Sequence, residues 1–335
     1  MTPRARRGTD SVSTDTEAVR EVSIADTGSE PSKAPTVSIG IPVYNGASHI
    51  GETIESILSQ TFRDFELLIS DNASTDGTFD ICHEYASRDQ RVRCVRQSRN
   101  LGANKNFNTL FEMSSGKYFK WSGYDDRLDP TLIERCVEAL EGNPAASIAY
   151  CGETFIDDES GTEVLRCDVP HNIHGDTSDA RFREWMWNME IKNQGMSDLV
   201  YGVVRSEAMR NTRLFIDKLA TNKILILELV TKGPVIHIPD VLVFRSPPGH
   251  RTIEQRMARL APMKNSRVSL PHWATAAEFF RVAWGLDISL SRRISLVLDC
   301  LKFFATGRRL HNLIWDVRRT ALYLTKTSTP SEQGV

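Results

Sequence analysis

Along the chain, short unbroken apolar runs alternate with stretches whose apolar positions recur every three or four residues. VSIGIPVYN (37–45) is β-branched and apolar until it meets a polar turn, which predicts a buried strand. Ile50, Ile54, Ile57 and Leu58 then recur at helical spacing. FELLIS (65–70) predicts a second strand, ended by DNASTDGT, and Phe79, Cys82 and Tyr85 mark a second helix. RVRCVRQ (91–97), more basic, predicts a third strand. The turn RNLGANKN and a helix carrying Phe107, Leu110 and Phe111 follow. KYFKWS (117–122) predicts a fourth strand. Asp129 and Pro130 suit the N-cap and first position of a helix striped by Leu132, Ile133, Cys136, Val137 and Leu140. ASIAYCG (146–152) predicts a fifth strand.

This alternation predicts an α/β fold with an open, mostly parallel, Rossmann-like sheet covered by helices on both faces. Ligands of such sheets bind at the carboxyl ends of the strands. The polar residues stand there: Tyr44 and Asn45, Asp71 and Asn72, Asn100, and Asp125 with Asp126. Beyond residue 160 the pattern loosens. EWMWNMEIK and TNKILILELVTKG read as helices; LVYGVVR, VIHIP and VLVFR read as short strands.

Composition sets the limits of the fold. Residues 1–35 carry almost no aromatics and read as a disordered tail. Residues 36–250 read as one folded domain, with 36–157 and 158–250 as its two halves. Residues 251–335 hold 14 Lys and Arg against 6 Asp and Glu, interleaved with aromatics, and predict a basic amphipathic helical extension. That extension reads as a helical cap or as a contact for an anionic membrane surface. The formal net charge of −2 suggests no nucleic-acid partner. None of the 6 cysteines forms a C-x-x-C pair, which fits reduced core residues of a cytoplasmic protein, peripheral on the inner membrane face if the extension docks there. No apolar run reaches the roughly 20 residues of a membrane span.

Two adjacent carboxylates repel by about 1–4 kcal/mol at about 4 Å. A shared divalent cation would relieve Asp125 and Asp126, and Mg²⁺ or Mn²⁺ on oxygen ligands would bring in a diphosphate. A solvated turn is the plainer reading of the pair. The set of segments carries more weight than the pair. VSIGIPVYNGASHIGETIESILSQTF, FELLISDNASTDGT, RNLGANKNFN and KYFKWSGYDDRLDPTLIE together resemble the family 2 inverting glycosyltransferases, which use nucleotide-activated sugars. The resemblance covers about residues 36–157 and continues more weakly through VYGVVRSEAM and LILELVTKGPVIHIPDVLVFR.

The resemblance implies a glycosyltransferase A type sheet and a role for each matching residue. Pro42, Tyr44 and Asn45 line the nucleotide. Asp71 accepts from the base, which favours a uridine or thymidine donor with an imide N–H. Asp76 and Gly77 shape the next turn; Asn100, Gly102 and Asn104 match a third nucleotide-side loop. Asp125 and Asp126 match the metal motif, although its usual first Asp is Gly123 here. An inverting transfer also needs a base to deprotonate the acceptor. Alignment on Leu225, Leu229 and Gly233 places that base at Asn222, which cannot act as one. Either Asp217 or Asp198 substitutes, with Glu228 a further candidate, or the acceptor needs little base assistance, or the chain is catalytically impaired; His250 is a phosphate or metal contact or a plain loop His.

The expected activity is metal-dependent transfer of a sugar from a nucleoside diphosphate to a glycan, lipid-linked or other hydroxyl acceptor. The competing reading, prompted by Asn222, is a catalytically impaired nucleotide-sugar-binding protein. A nucleotidyltransferase would need a Gly-rich basic loop after the first strand, and IPVYNGASH is not one. A dinucleotide oxidoreductase would need G-x-G-x-x-G, which does not occur.

Overall fold

The computed structural model describes residues 34–157, 160–171, 173–191, 198–246 and 270–327. The disordered-tail reading of 1–33 and the role given to His250 lie outside them. Strand β1 (Val37–Val43), helix α1 (Ile50–Leu58), β2 (Phe65–Asp71), α2 (Thr78–Arg88), β3 (Val92–Arg96), α3 (Ala103–Glu112) and β4 (Tyr118–Trp121) follow the predicted alternation. After them come β5 (Asp126–Leu128), α4 (Leu132–Gly142), β6 (Ile148–Ile156), β7 (Glu163–Cys167), α5 (Ser178–Ile191), β8 (Val203–Arg205), α6 (Ser206–Arg210), α7 (Thr221–Lys232) and β9 (Val235–Arg245). Helices α8 (Pro271–Gly285), α9 (Leu290–Phe304) and α10 (Gly307–Thr327) close the described chain.

One sheet runs β3-β2-β1-β4-β8-β6-β9-β5, with β7 added beside β6. Its first half is parallel, as β1 pairs β2 and β4, and β2 pairs β3. The second half is mixed. β8 lies antiparallel to β4 and β6, β5 antiparallel to β9, and β6 parallel to β9. Pro42 has no N–H to give, and it stands beyond Gly40–Trp121, the last β1–β4 pair. The ladder therefore opens at the crevice without an unpaired donor.

Several local expectations shift. α4 starts at Leu132, because the Asp129 carboxylate turns back onto the Thr131 N–H (2.9 Å) and hydroxyl (2.6 Å). LVYGVVR splits into a 3₁₀ turn (Leu199–Tyr201) and β8, because Asp198 caps the Val200 N–H at 3.3 Å. VIHIP and VLVFR form one strand, whose register against β6 shifts around Gly152 to absorb the extra residues. Helices α1, α2 and α4 cover one face of the sheet, and α3, α5 and α7 cover the other. α8 and α9 join that second core through Phe279, Ala283, Leu296, Cys300 and Phe303. Burying one such aromatic contributes about 1.5–3 kcal/mol. These basic helices are thus partly core, fixed further by Arg213–Glu278 (2.6 Å) and Arg183–Asp299 (2.7 Å). Among the described residues no helix is long and apolar enough to cross a membrane.

Candidate functional site

At the carboxyl edge of the parallel half, three loops are sewn together by side chains accepting from backbone N–H groups. Asn45, with φ of 52°, accepts at Oδ1 from the Thr75 N–H (2.9 Å) and donates its own N–H to the Ser74 hydroxyl (2.8 Å). Asp76 accepts from the Ala47 N–H at 3.2 Å and from Thr78. Burial raises its carboxyl, but these donors outweigh burial and hold it below its ordinary value. Asn72 donates to Asn100 Oδ1 (3.0 Å) and accepts from the Leu101 N–H (2.8 Å). It thereby joins the second loop to the third, where Gly102 takes φ of 82° to begin α3. Asn72 was visible in the sequence only as a polar residue at a strand end.

Asp71 is fully buried. Its oxygens accept from the Ser74 N–H at 3.2 and 3.3 Å, and Arg96 Nε stands 3.4 Å away. Burial raises its carboxyl above the ordinary value against the pull of Ser74 and Arg96. Asn104, matched to the nucleotide-side loop, donates to the Ile216 carbonyl (3.1 Å) and to Asp217 (3.2 Å). It therefore ties α3 to the loop before α7.

The paired carboxylates do not act alike. Asp126 is 2% exposed, with Oδ1 3.0 Å from Arg245 Nε and Oδ2 accepting the Gly123 N–H at 2.6 Å. Burial raises its carboxyl, but Arg245 and the Gly123 N–H overcome burial and hold it below its ordinary value. Gly123 is explained by the same contact. A Cβ there would meet the Asp126 carboxylate at 2.9 Å, so an Asp at 123 would require that carboxylate to shift. Both oxygens of Asp126 thus have protein partners, Gly123 and Arg245. Among the described residues no group of three or more His, Cys, Asp and Glu side chains could hold a metal ion. A carboxylate at this strand end fits a hard cation, with the remaining oxygens coming from a bound diphosphate.

Arg245 extends this network across the crevice. Its Nη1 lies 2.9 Å from Glu153, and its guanidinium stacks 4.2 Å over the Tyr201 ring. Glu153 accepts the Asp198 N–H at 3.2 Å, and Asp198 Oδ2 lies 3.5 Å from Asn222 Nδ2. Asp126, Arg245, Glu153, Asp198 and Asn222 are therefore one polar line from the start of β5 to the start of α7. Arg245 and Glu153 escaped the sequence reading. Nothing but their isolated charges inside apolar strands could have marked them. Glu228, the further candidate base, is taken by Arg213, which donates from Nε (2.6 Å) and its backbone N–H (2.8 Å). Asp217 is exposed and bound to Asn104.

Residues 38–212 match the family described as Glycosyl transferase family 2. An uncharacterized glycosyltransferase of Rickettsia prowazekii is 35% identical over 128 residues, covering 38% of this chain and 39% of that protein. Chondroitin synthase of Escherichia coli is 35% identical over 127 residues, covering 38% and 18%. The putative teichuronic acid biosynthesis glycosyltransferase TuaG of Bacillus subtilis is 35% identical over 106 residues, covering 32% and 42%. The matches thus span about two fifths or less of these relatives. The structure of S. aureus TarS 1-349 in complex with UDP-GlcNAc shares the fold, at TM-score 0.60 and 14% identity over 86% of this chain and 81% of that one.

Proposed function

The chain belongs to glycosyl transferase family 2, and on that premise we propose that it transfers a sugar from a nucleoside diphosphate to a hydroxyl acceptor with inversion. The observation that carries this reading is the line of polar groups that places Asp198 at the start of α7, 3.5 Å from Asn222. The nucleoside lies over the loops joined by Asn45, Asn72 and Asn100, with Asp71 and Arg96 framing a uracil or thymine base and Pro42, Tyr44 and Gly102 shaping the floor. Asp126 is a positioning residue that fixes Arg245 and the Gly123 turn beneath Asp125. A Mn²⁺ or Mg²⁺ ion held at Asp125 would neutralise charge on the departing diphosphate.

Asp198 takes the base role that Asn222 cannot. The acceptor oxygen forms a bond to the anomeric carbon as the bond to the diphosphate breaks on the opposite face. The bonding pair leaves with the nucleoside diphosphate, and the acceptor proton passes to Asp198. Asn222 donates to the same carboxylate and holds its orientation. The names of TuaG and chondroitin synthase support a surface polysaccharide or its lipid-linked precursor as acceptor. Six buried free cysteines suit a reducing cytoplasm. Exposed Leu290, Ile294, Leu298 and Leu301, at helical spacing on α9, suit the inner face of an anionic membrane.

A thermal-shift series across nucleotide sugars, with and without Mn²⁺, followed by a transfer assay, tests this reading. Stabilisation by uridine or thymidine diphosphate sugars with product formation is expected. Stabilisation without hydrolysis or transfer in any donor would leave a binding protein in its place.

A further inference from the structure

Helices α8, α9 and α10 wall a cleft of about 180 Å³ against the start of α7. Its floor is aromatic and aliphatic: Phe279, Phe303, Phe304 and Leu313. Ala220 and Lys223, which flank the Asn222 position, form one side. Two fixed cationic or imidazole groups stand at the others. Arg309 stacks 3.6 Å over the Phe303 ring and donates to the Phe303 carbonyl at 2.8 Å. His272 is held through Nδ1 by the buried Asp316 at 2.9 Å, which leaves its Nε2 as the remaining polar ring atom. No acidic side chain is among the described residues lining the cleft. An apolar floor under cationic walls recognises an apolar chain that ends in an anion. The same helices expose Leu301 (52%), Leu310 (41%) and Ile314 (43%), a surface continuous in character with a lipid chain.

We infer that this cleft is an acceptor subsite for a lipid phosphate: the chain lies on Phe279, Phe303 and Leu313, and the phosphate meets Lys223 and Arg309. The inference rests on the transferase reading for the word acceptor, and on the cleft alone for the ligand chemistry. Calorimetry on the full chain below micellar concentrations tests it, with dodecyl phosphate, inorganic phosphate and uncharged dodecyl maltoside as probes. Dodecyl phosphate should bind at least tenfold more tightly than either of the others. Lys223→Glu changes an exposed side chain and should weaken it tenfold or more. Asn312→Trp, which fills the cleft, should abolish it, while uridine diphosphate binding by both variants stays unchanged. Equal affinity for dodecyl maltoside overturns the inference, as does indifference to Lys223→Glu. Transfer to a soluble acceptor without any dodecyl phosphate binding removes the cleft and keeps the transferase. Dodecyl phosphate binding without transfer to any acceptor keeps the cleft and removes the transferase.

Discussion

Two buried carboxylates, Asp71 in the parallel half and Asp126 at the edge of the mixed half, meet burial in opposite ways. Asp71 ends β2 and is served by the turn that follows it, through the Ser74 N–H, with Arg96 at 3.4 Å. These donors do not offset burial, and its carboxyl is raised. Asp126 is served from 119 residues away by Arg245, itself clamped between two carboxylates and the Tyr201 ring. There the ion pair overcomes burial, and the carboxyl is lowered. Asp71 in the parallel half of the sheet is thus held by local donors, and Asp126 in the mixed half by a long-range ion pair. Damage to the two halves should differ in kind.

The sharpest break of this contrast is Arg245→Ala. It leaves Asp126 and Glu153 buried without their cation, a change that costs about 3–5 kcal/mol. Urea denaturation should show that loss. Asp71→Asn should stay within about 1 kcal/mol, since it leaves no charge stranded. Equal losses in the two variants would erase the distinction.

Next in size is the base. Asp198→Ala should lower transfer by about 10²–10⁴-fold with nucleotide affinity intact. Asn222→Asp places a second carboxylate against Asp198, so repulsion should raise the pKa of that pair and move the acid limb of the rate profile to higher pH. An unchanged profile, with Asp198→Ala still active, would take the base away from this helix.

Asp125→Ala should abolish the metal dependence of nucleoside diphosphate binding and leave the melting temperature unchanged. Gly123→Asp should not tighten metal binding, because its Cβ meets the Asp126 carboxylate; it should lower stability instead. Tighter Mn²⁺ binding in Gly123→Asp, read by calorimetry, would show that Asp126 leaves Arg245 readily.

The two carboxylates should also titrate stability in opposite directions. Asp126 has a folded value below its ordinary 3.8, so its stabilisation is present above that value and is lost as pH falls through the depressed one. Asp71 has a folded value above 3.8, so its contribution is full below 3.8 and is lost as pH rises through the raised value. Denaturation of the wild type beside Asp126→Asn and Asp71→Asn, from about pH 3 to pH 7, should therefore give differences of opposite slope. Parallel slopes would contradict the assignment.

The smallest expected effect is on lipid. Ile294→Glu with Leu298→Glu should weaken sedimentation with anionic vesicles at low salt, each nearby Lys or Arg contributing about 1 kcal/mol. Truncating the helices is not an equivalent test, because Phe279 and Phe303 belong to the core. Binding that survives both substitutions would place the contact elsewhere.

The parallel half and its polar strand ends are legible in the chain alone. In β1 through α3, apolar runs alternate with turn residues at short range, so Asn45, Asp71 and Asn100 stand where the alternation puts them. Backbone periodicity and turn chemistry act over a few residues, and a linear reading captures them. What surrounds Asp126 and Asn222 is set by contacts across the fold. Asp126 depends on Arg245, Asn222 on Asp198, and α8 on Arg213 through Glu278, across separations from 24 to 119 residues. Short β5 inside DDRLDP was hidden for the same reason: three residues become a strand only when β9 lies beside them. Electrostatic partners are chosen by where strands stack in space, and a Coulomb contact leaves no period along the chain.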